Sequence, residues 1–245
     1  MNDFEPTSFT LNTIAIAHTP FQEKFAVPRQ PRLAPAATGY IELLPPYDSA
    51  EALQGLEQVS HLWLVFMFHQ ALPDPDQPPR LRVRPPRLGG NTRLGVFATR
   101  SSHRPNGLGQ SLVKIEGIEG CRVRVSGLDL VNGTPIVDIK PYVPYADCVS
   151  DARNAIASEA PEPVVVEWQD DVYQQAELIQ QADELELIAL VEQCLAQDPK
   201  PAYQTPSPER QYGTRFWHVD VGWHYPEPGR ICINRIGRDS DSRKS

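Results

Sequence analysis

Paired metal-ligand patterns are missing from this sequence. Its four cysteines, Cys121, Cys148, Cys194 and Cys232, include no C-x-x-C pair, and its six histidines form no H-E-x-x-H or H-x-x-x-H pattern. A zinc knuckle, a redox dithiol and a catalytic metal are therefore not expected, and the cysteines read as reduced thiols. No apolar run approaches the roughly eighteen residues of a membrane span. The N-terminal MNDFEPTSFTLN lacks a basic stretch followed by an apolar one, so no signal peptide is expected and a cytoplasmic location is. No G-x-G-x-x-G follows a first strand, which sets aside the common nucleotide-binding βαβ core.

Acid is also missing, but only locally. From Gln77 to Ile115 there is no Asp or Glu, while Arg80, Arg82, Arg84, Arg87, Arg93, Arg100, Arg104 and Lys114 all fall inside. From Asp147 to Asp198 the pattern inverts to thirteen acids against one base, Arg153. The formal net charge of −8 hides this split. Segregation of this kind suits a polyanion-facing surface beside a solvated acidic lobe, and equally two solvated faces.

What is plentiful is proline, 25 residues, punctuating short segments that alternate apolar and polar. Residues 9–18, 39–44, 61–69, 80–84, 93–99, 111–118, 121–131 and 135–142 read as strands, a density that favours a barrel or sandwich. The 61–69 run, HLWLVFMFH, is apolar on both faces and predicts a central strand buried on each side. A short helix is expected over 49–58 with Asp48 or Ser49 as N-cap. After Tyr145 the acidic, proline-bearing DARNAIASEAPEPVVVEWQDD reads as a linker, and an amphipathic helix is expected over 176–197, halted at DPKPAY. A two-stranded hairpin turning near Pro226–Gly229 completes a small C-terminal lobe. The expectation is a mainly β protein: an N-terminal β-barrel domain over 1–148, an α+β lobe over 149–238, and a disordered tail over 239–245.

Chemistry concentrates in TRSSHRPNGLG, where Pro105, Gly107 and Gly109 mark a turn whose backbone can approach an anion or polar ligand edge. Together with EKFAVPRQPRL, HLWLVFMFHQ, the long VRPPRLGGNTRLGVFATRSSHRPNGLGQSL and GLDLVNGTPIVDIKPYVPYAD, it resembles the TrmO or TsaA-like family of S-adenosylmethionine-dependent methyltransferases. Members of that family methylate the N6 amine of a modified adenosine beside the tRNA anticodon. Residues 10–148 carry the likeness densely, and it returns at AQDPKPAYQ. The chain departs from the family at Asn106-Gly107-Leu108-Gly109, where N-P-I-G is usual, and at Asn132, where Asp is usual.

The resemblance implies a β-barrel methyltransferase domain working as a homodimer. It points to a cofactor site at Pro28, Arg29, Gln30, His69, Gln70, Arg100, a backbone contact near Leu112, and Asp129, Leu130, Val131 and Asn132. An arginine suits the cofactor's carboxylate and an acceptor its ribose hydroxyls. Each residue also has a plainer reading: His69 as a packed strand-end histidine, Asp129 as a turn carboxylate, Arg29 as a solvated side chain. Asp198 and Tyr203 of DPKPAY are candidate catalytic residues, a carboxylate to orient the amine and an aromatic face for a base; a helix-ending turn is the alternative. Arg84, Arg87, Arg93 and Arg104 are the expected contacts to the anticodon stem-loop. The acidic lobe is expected to approach RNA through restricted residues such as Lys200, Arg210 and Arg215, or to touch the base rather than the backbone. The expected activity is N6-methylation of threonylcarbamoyl-adenosine 37 in threonine tRNA; a non-catalytic RNA-binding barrel and a small-molecule methyltransferase are the competing readings.

Overall fold

Period-two alternation carries the first half of the chain into strands, because successive side chains of a strand point to opposite faces. In the computed structural model, which describes residues 8–72, 74, 76–84, 93–200 and 204–238, the strands in chain order are β1 (Ala15–His18), β2 (Gly39–Leu43), β3 (His61–Met67), β4 (Arg82–Val83), β5 (Leu94–Gly95), β6 (Leu108–Glu119), β7 (Arg122–Ser126) and β8 (Thr134–Pro141). Six of them close into an antiparallel barrel, β1-β2-β7-β6-β3-β8, while β4 and β5 pair only with each other. The segments 80–84 and 93–99 are thus not barrel strands. Each contributes two paired residues to a small ladder within the long β3–β6 connection.

The barrel is filled from inside by Ile41, Leu62, Leu64, Phe66, Val113, Val123, Val125 and Ile136, with β1 contributing only Ala15 and Ala17. Small residues on one strand and large ones on another let few strands close around a full core. Gly109 serves the same end, since a Cβ there would lie 2.3 Å from the Phe66 ring. The expectation that β3 is buried on both faces is corrected: Leu62, Leu64 and Phe66 are buried, whereas His61, Trp63, Val65 and Met67 are half-buried on the outer wall. Its apolar outer face packs locally instead, Trp63 lying 6.0 Å from Tyr142 and donating its indole N–H to Asp147.

The second half forms a four-stranded sheet covered by helices. Its elements are β9 (Val165–Trp168), α3 (Asp170–Asp183), α4 (Leu187–Leu195), β10 (Tyr212–Phe216), β11 (Val219–Glu227) and β12 (Arg230–Arg238), with sheet order β10-β11-β12-β9. Two single-turn helices, α1 (Ala50–Leu53) and α2 (Pro144–Asp147), precede them. The turn at Pro228-Gly229 is where the hairpin places it, but the hairpin is part of a larger sheet. The linker reading of 151–171 also gives way: β9 lies inside it and pairs in parallel with β12.

The single helix expected over 176–197 is two. Glu184 takes up a left-handed conformation (φ 52°) that ends α3, and the Gln180 side chain caps the restart by accepting from the Ile188 N–H at 3.1 Å. The helix expected over 49–58 is likewise broken. Gly55 (φ 89°) separates α1 from a 3₁₀ turn, and Ser49 occupies the N-cap position without a side-chain bond. Leu187, Leu190, Val191 and Leu195 of α4 pack with Val172, Ala176 and Ile179 of α3 on Val221, Trp223, Ile231 and Ile233 of the sheet.

Candidate functional site at one end of the barrel

Strand register fixes where the chemistry lies. His18 pairs with Tyr40, Gly39 with Val125, Met67 with Leu108 and Ala17 with Thr134. The three connections 19–38, 68–107 and 127–133 therefore leave the barrel at the same end. Every residue expected at the cofactor site except Leu112 lies on one of these connections, and so do all four expected RNA contacts.

The third connection is stitched to the first. Thr19 Oγ1 donates to Leu130 O (2.7 Å), the Thr19 N–H to Asn132 Oδ1 (3.0 Å) and the Asn132 N–H to Phe21 O (2.7 Å), beside a parallel bridge between Phe21 and Val131. Asn132 thus spends its carbonyl on loop architecture, a task that an amide performs as well as a carboxylate. These bonds hold Asp129 so that its Oδ1 accepts from Ser111 Oγ at 2.6 Å. Burial pushes the Asp129 carboxyl up to about 6, against the Ser111 bond, its own backbone and the charge of Arg100, which pull it down. Arg100 in turn donates to Gln30 Oε1 at 2.5 Å. Gln30, Arg100, Asp129 and Ser111, from all three connections and the start of β6, form one polar array.

The remaining expected residues surround it less directly. Pro28 is buried, and the Arg29 N–H donates to Gln197 Oε1 at 3.3 Å, tying the first connection to the end of α4. His69 is half-buried just beyond β3, and the Gln70 carbonyl accepts from Lys24 Nζ at 2.6 Å. The Leu112 side chain is half-buried on the outer wall opposite Trp63, on the other face of β6 from Ser111.

Arg84 and Arg93 are exposed. Arg104 is half-buried and donates to Thr99 O at 2.6 Å, clasping its own loop. Arg87, Tyr203 and the tail 239–245 lie outside the described residues. A cationic neighbourhood borders the array, because burial, and then the charges of Arg80 and Lys24, lower the pKa of His103.

The C-terminal lobe docks on the same end, through the first connection. The Trp217 N–H donates to Pro20 O (2.7 Å), Thr214 Oγ1 to Phe25 O (3.1 Å) and the Ala36 N–H to Gln193 Oε1 (2.8 Å), while Phe25 stacks on Trp223. Asp198 is the residue after Gln197, whose side chain accepts from the Arg29 N–H. Its carboxylate accepts from Tyr225 Oη (2.7 Å) and Lys200 Nζ (3.0 Å). The lobe's other expected RNA contacts are engaged as well: Arg210 lies over the Tyr212 ring and Arg215 pairs with Asp220.

Sequence reasoning missed Ser111, Thr19, Lys24, Gln193 and Gln197. A strand hydroxyl such as Ser111 offers no signal until its burial is seen. The glutamines act only through tertiary contacts and offered none.

The fold and site together define a β-barrel protein with a polar array at one mouth, a basic rim and a second lobe closing over the array's flank. Residues 16–148 match the tRNA-methyltransferase O N-terminal domain and residues 161–238 the TrmO C-terminal domain. A Pseudomonas aeruginosa protein described as a putative S-adenosylmethionine-dependent methyltransferase RcsF is 60% identical over 224 residues, spanning 91% of this chain and 96% of that one. The tRNA (adenine(37)-N6)-methyltransferase of Escherichia coli is 41% identical over 229 residues, spanning 91% and 96%. A crystal structure of TrmO from P. aeruginosa superposes with a TM-score of 0.82 at 49% identity, covering 96% of this chain and all of that one. The chain belongs to the tRNA-methyltransferase O family.

Proposed function

We propose that the protein is an S-adenosylmethionine-dependent tRNA (adenine-N6)-methyltransferase whose acceptor is the threonylcarbamoyl-modified adenosine at position 37 of threonine tRNA. One observation carries the reading: three barrel connections and the end of α4 bring a guanidinium, an amide and two carboxylates to one end of the barrel, next to an acid-free, arginine-rich segment. The relatives' activities agree with it, and nothing favours the non-catalytic RNA binder.

The residues fit the cofactor's chemistry. Arg29 and Arg100 suit its carboxylate. Asp129 and the backbone of Leu130 and Val131 suit its hydroxyl and amine donors, with Gln30 and the His69-Gln70 turn alongside. When bound, S-adenosylmethionine supplies an electrophilic methyl group for in-line displacement. An adenine N6 is a weak nucleophile because its lone pair is shared with the ring, and a carbamoyl substituent withdraws it further while making the N–H more acidic. The protein must therefore align the nitrogen and accept its proton.

We assign that task to Asp198. Its carboxylate is held by the Tyr225 hydroxyl and the Lys200 ammonium, and a carboxylate can receive about four hydrogen bonds. Tyr203, in the same DPKPAY segment, is the aromatic we assign to stacking the base. Arg84, Arg87 and Arg93, with Arg104 bracing their loop, meet phosphates of the anticodon stem-loop. A cytoplasmic homodimer completes the reading.

Mass spectrometry of threonine tRNA from a deletion strain tests the function. The methyl mark on the modified adenosine should vanish and return with the wild-type gene but not with Asp129→Ala. An unchanged adenosine in the deletion strain would refute the proposal. A thermal shift with S-adenosylmethionine separates an enzyme, which shows one, from a pure RNA binder, which does not. Light scattering after size exclusion checks the dimer.

A further inference from the structure

Asp198 stands just past the last turn of α4 with its backbone in the left-handed region (φ 51°), its N–H donating to Leu195 O at 2.9 Å. That bond and Pro199 are enough to end a helix. The carboxylate is nevertheless held by a separate apparatus. Oδ1 accepts from the Tyr225 hydroxyl at 2.7 Å and Oδ2 from Lys200 Nζ at 3.0 Å, and the Lys200 ammonium lies 5.6 Å from the centroid of the Tyr225 ring, closing a triangle of three side chains.

The triangle is graded in depth. Tyr225 is 1% exposed, the Lys200 side chain 11% and the Asp198 side chain 25%, so the acceptor is the member nearest solvent and its supports lie behind it. Tyr225 is itself fixed, packed edge-on against Tyr212 with ring centroids 5.2 Å apart. Burial, and then Asp198, raise its phenol well above the ordinary tyrosine range, so it remains a donor throughout physiological pH.

We propose that Tyr225, assisted by Lys200, is a positioning residue that fixes the Asp198 carboxylate in the orientation from which it receives the substrate amine. The proposal rests on the reading of Asp198 as that acceptor. Neither support touches the substrate. Each acts by removing rotational freedom from a carboxylate on a solvent-facing turn.

The test is steady-state kinetics of the full chain with unmethylated threonine tRNA and S-adenosylmethionine. Tyr225→Phe keeps the ring packing and deletes one charge-assisted hydrogen bond; kcat should fall about 10- to 100-fold, with KM for both substrates within about twofold. Tyr212→Phe is the control: among the described residues that buried hydroxyl has no partner, and its kcat should stay within about twofold of wild type. Lys200→Met should lose turnover, and Lys200→Arg should recover part of it. In an Asp198→Ala background Tyr225→Phe should cause no further loss, because the two act as one unit.

Wild-type kcat for Tyr225→Phe with an inactive Asp198→Ala would overturn the positioning role and leave the reading of Asp198 standing. Full turnover by Asp198→Ala would overturn both. Losses that add in the double variant, or that follow a fall in melting temperature, would assign Tyr225 to structure alone and refute the proposal.

Discussion

Asp129→Asn should make the ligand-free protein more stable and the enzyme worse, with a pH signature that identifies the cause. Burial raises the Asp129 carboxyl from 3.8 to about 6, so the folded state holds its proton over a range in which the unfolded chain has released it. Stability changes with pH in proportion to protons bound in the unfolded state minus those bound in the native state. That difference is negative between about pH 4 and 6, so the wild-type protein loses stability as pH rises through this window and pays the full cost above it.

At about 1.36 kcal/mol per unit, the shift sets a ceiling of about 3 kcal/mol. Asp129 keeps part of its surface in water, so about half of that is expected, or about 3 to 6 °C in melting temperature for a chain of this size. An asparagine still accepts from Ser111 but has no charge to desolvate. Melting curves without ligand should therefore separate Asp129→Asn from wild type at about pH 8 and converge at about pH 4. With S-adenosylmethionine the order reverses: the wild type gains a shift that fades below about pH 6, and the variant gains little at any pH. A constant difference across the pH range, or a variant less stable than wild type at about pH 8, would show that the carboxylate is not held ionised at a cost.

Three further outcomes follow from the geometry. Gly39→Ala would put a Cβ 2.1 Å from the His18 carbonyl oxygen, a backbone atom inside a strand pairing; a loss of about 2 to 3 kcal/mol in urea denaturation is expected, and an unchanged midpoint would contradict the register. Arg84→Ala and Arg93→Ala should each reduce the slope of log affinity for tRNA against log salt by about 1 without altering melting, whereas Arg104→Ala, losing its clasp on Thr99, should lower both. Phe21→Ala removes a buried ring packed edge-on against Phe216, with centroids 6.0 Å apart, where the Phe21 backbone bridges Val131 and Phe216; unfolding should become easier by about 3 to 5 kcal/mol, and a loss under about 1 kcal/mol would mean the lobe does not depend on this joint.

The barrel strands were legible because each pairs with neighbours in a sheet wet on one side, which imposes alternation directly on the residues. Arg80–Arg84 and Arg93–Thr99 alternate too, but pairing is a long-range property, and only Arg82, Val83, Leu94 and Gly95 find partners. Val165–Trp168 was hidden for the opposite reason. It is four residues long, follows Pro161 and Pro163, and becomes a strand only by lying parallel to residues some sixty positions away. In the helical stretch, the break rests on Glu184 entering a conformation that glycine usually takes, which composition does not flag. Asp129 and Arg100 were found through their motifs. Ser111 and Gln197 were not, since a hydroxyl on a strand and a glutamine on a helix are ordinary until tertiary structure aims them.

The loop between β1 and β2 is clamped on both flanks. Barrel groups hold it at Arg32, whose N–H reaches Gly127 O, and at Ala37, whose carbonyl takes the Leu128 N–H; the lobe holds it at Pro20, Phe25 and Ala36. A fragment cut near residue 160 would keep all six staves of the barrel and still lose half the fastenings of Pro28-Arg29-Gln30. Weak donor affinity in such a fragment would report a slackened strap rather than a missing pocket, so only the intact polypeptide gives a fair titration.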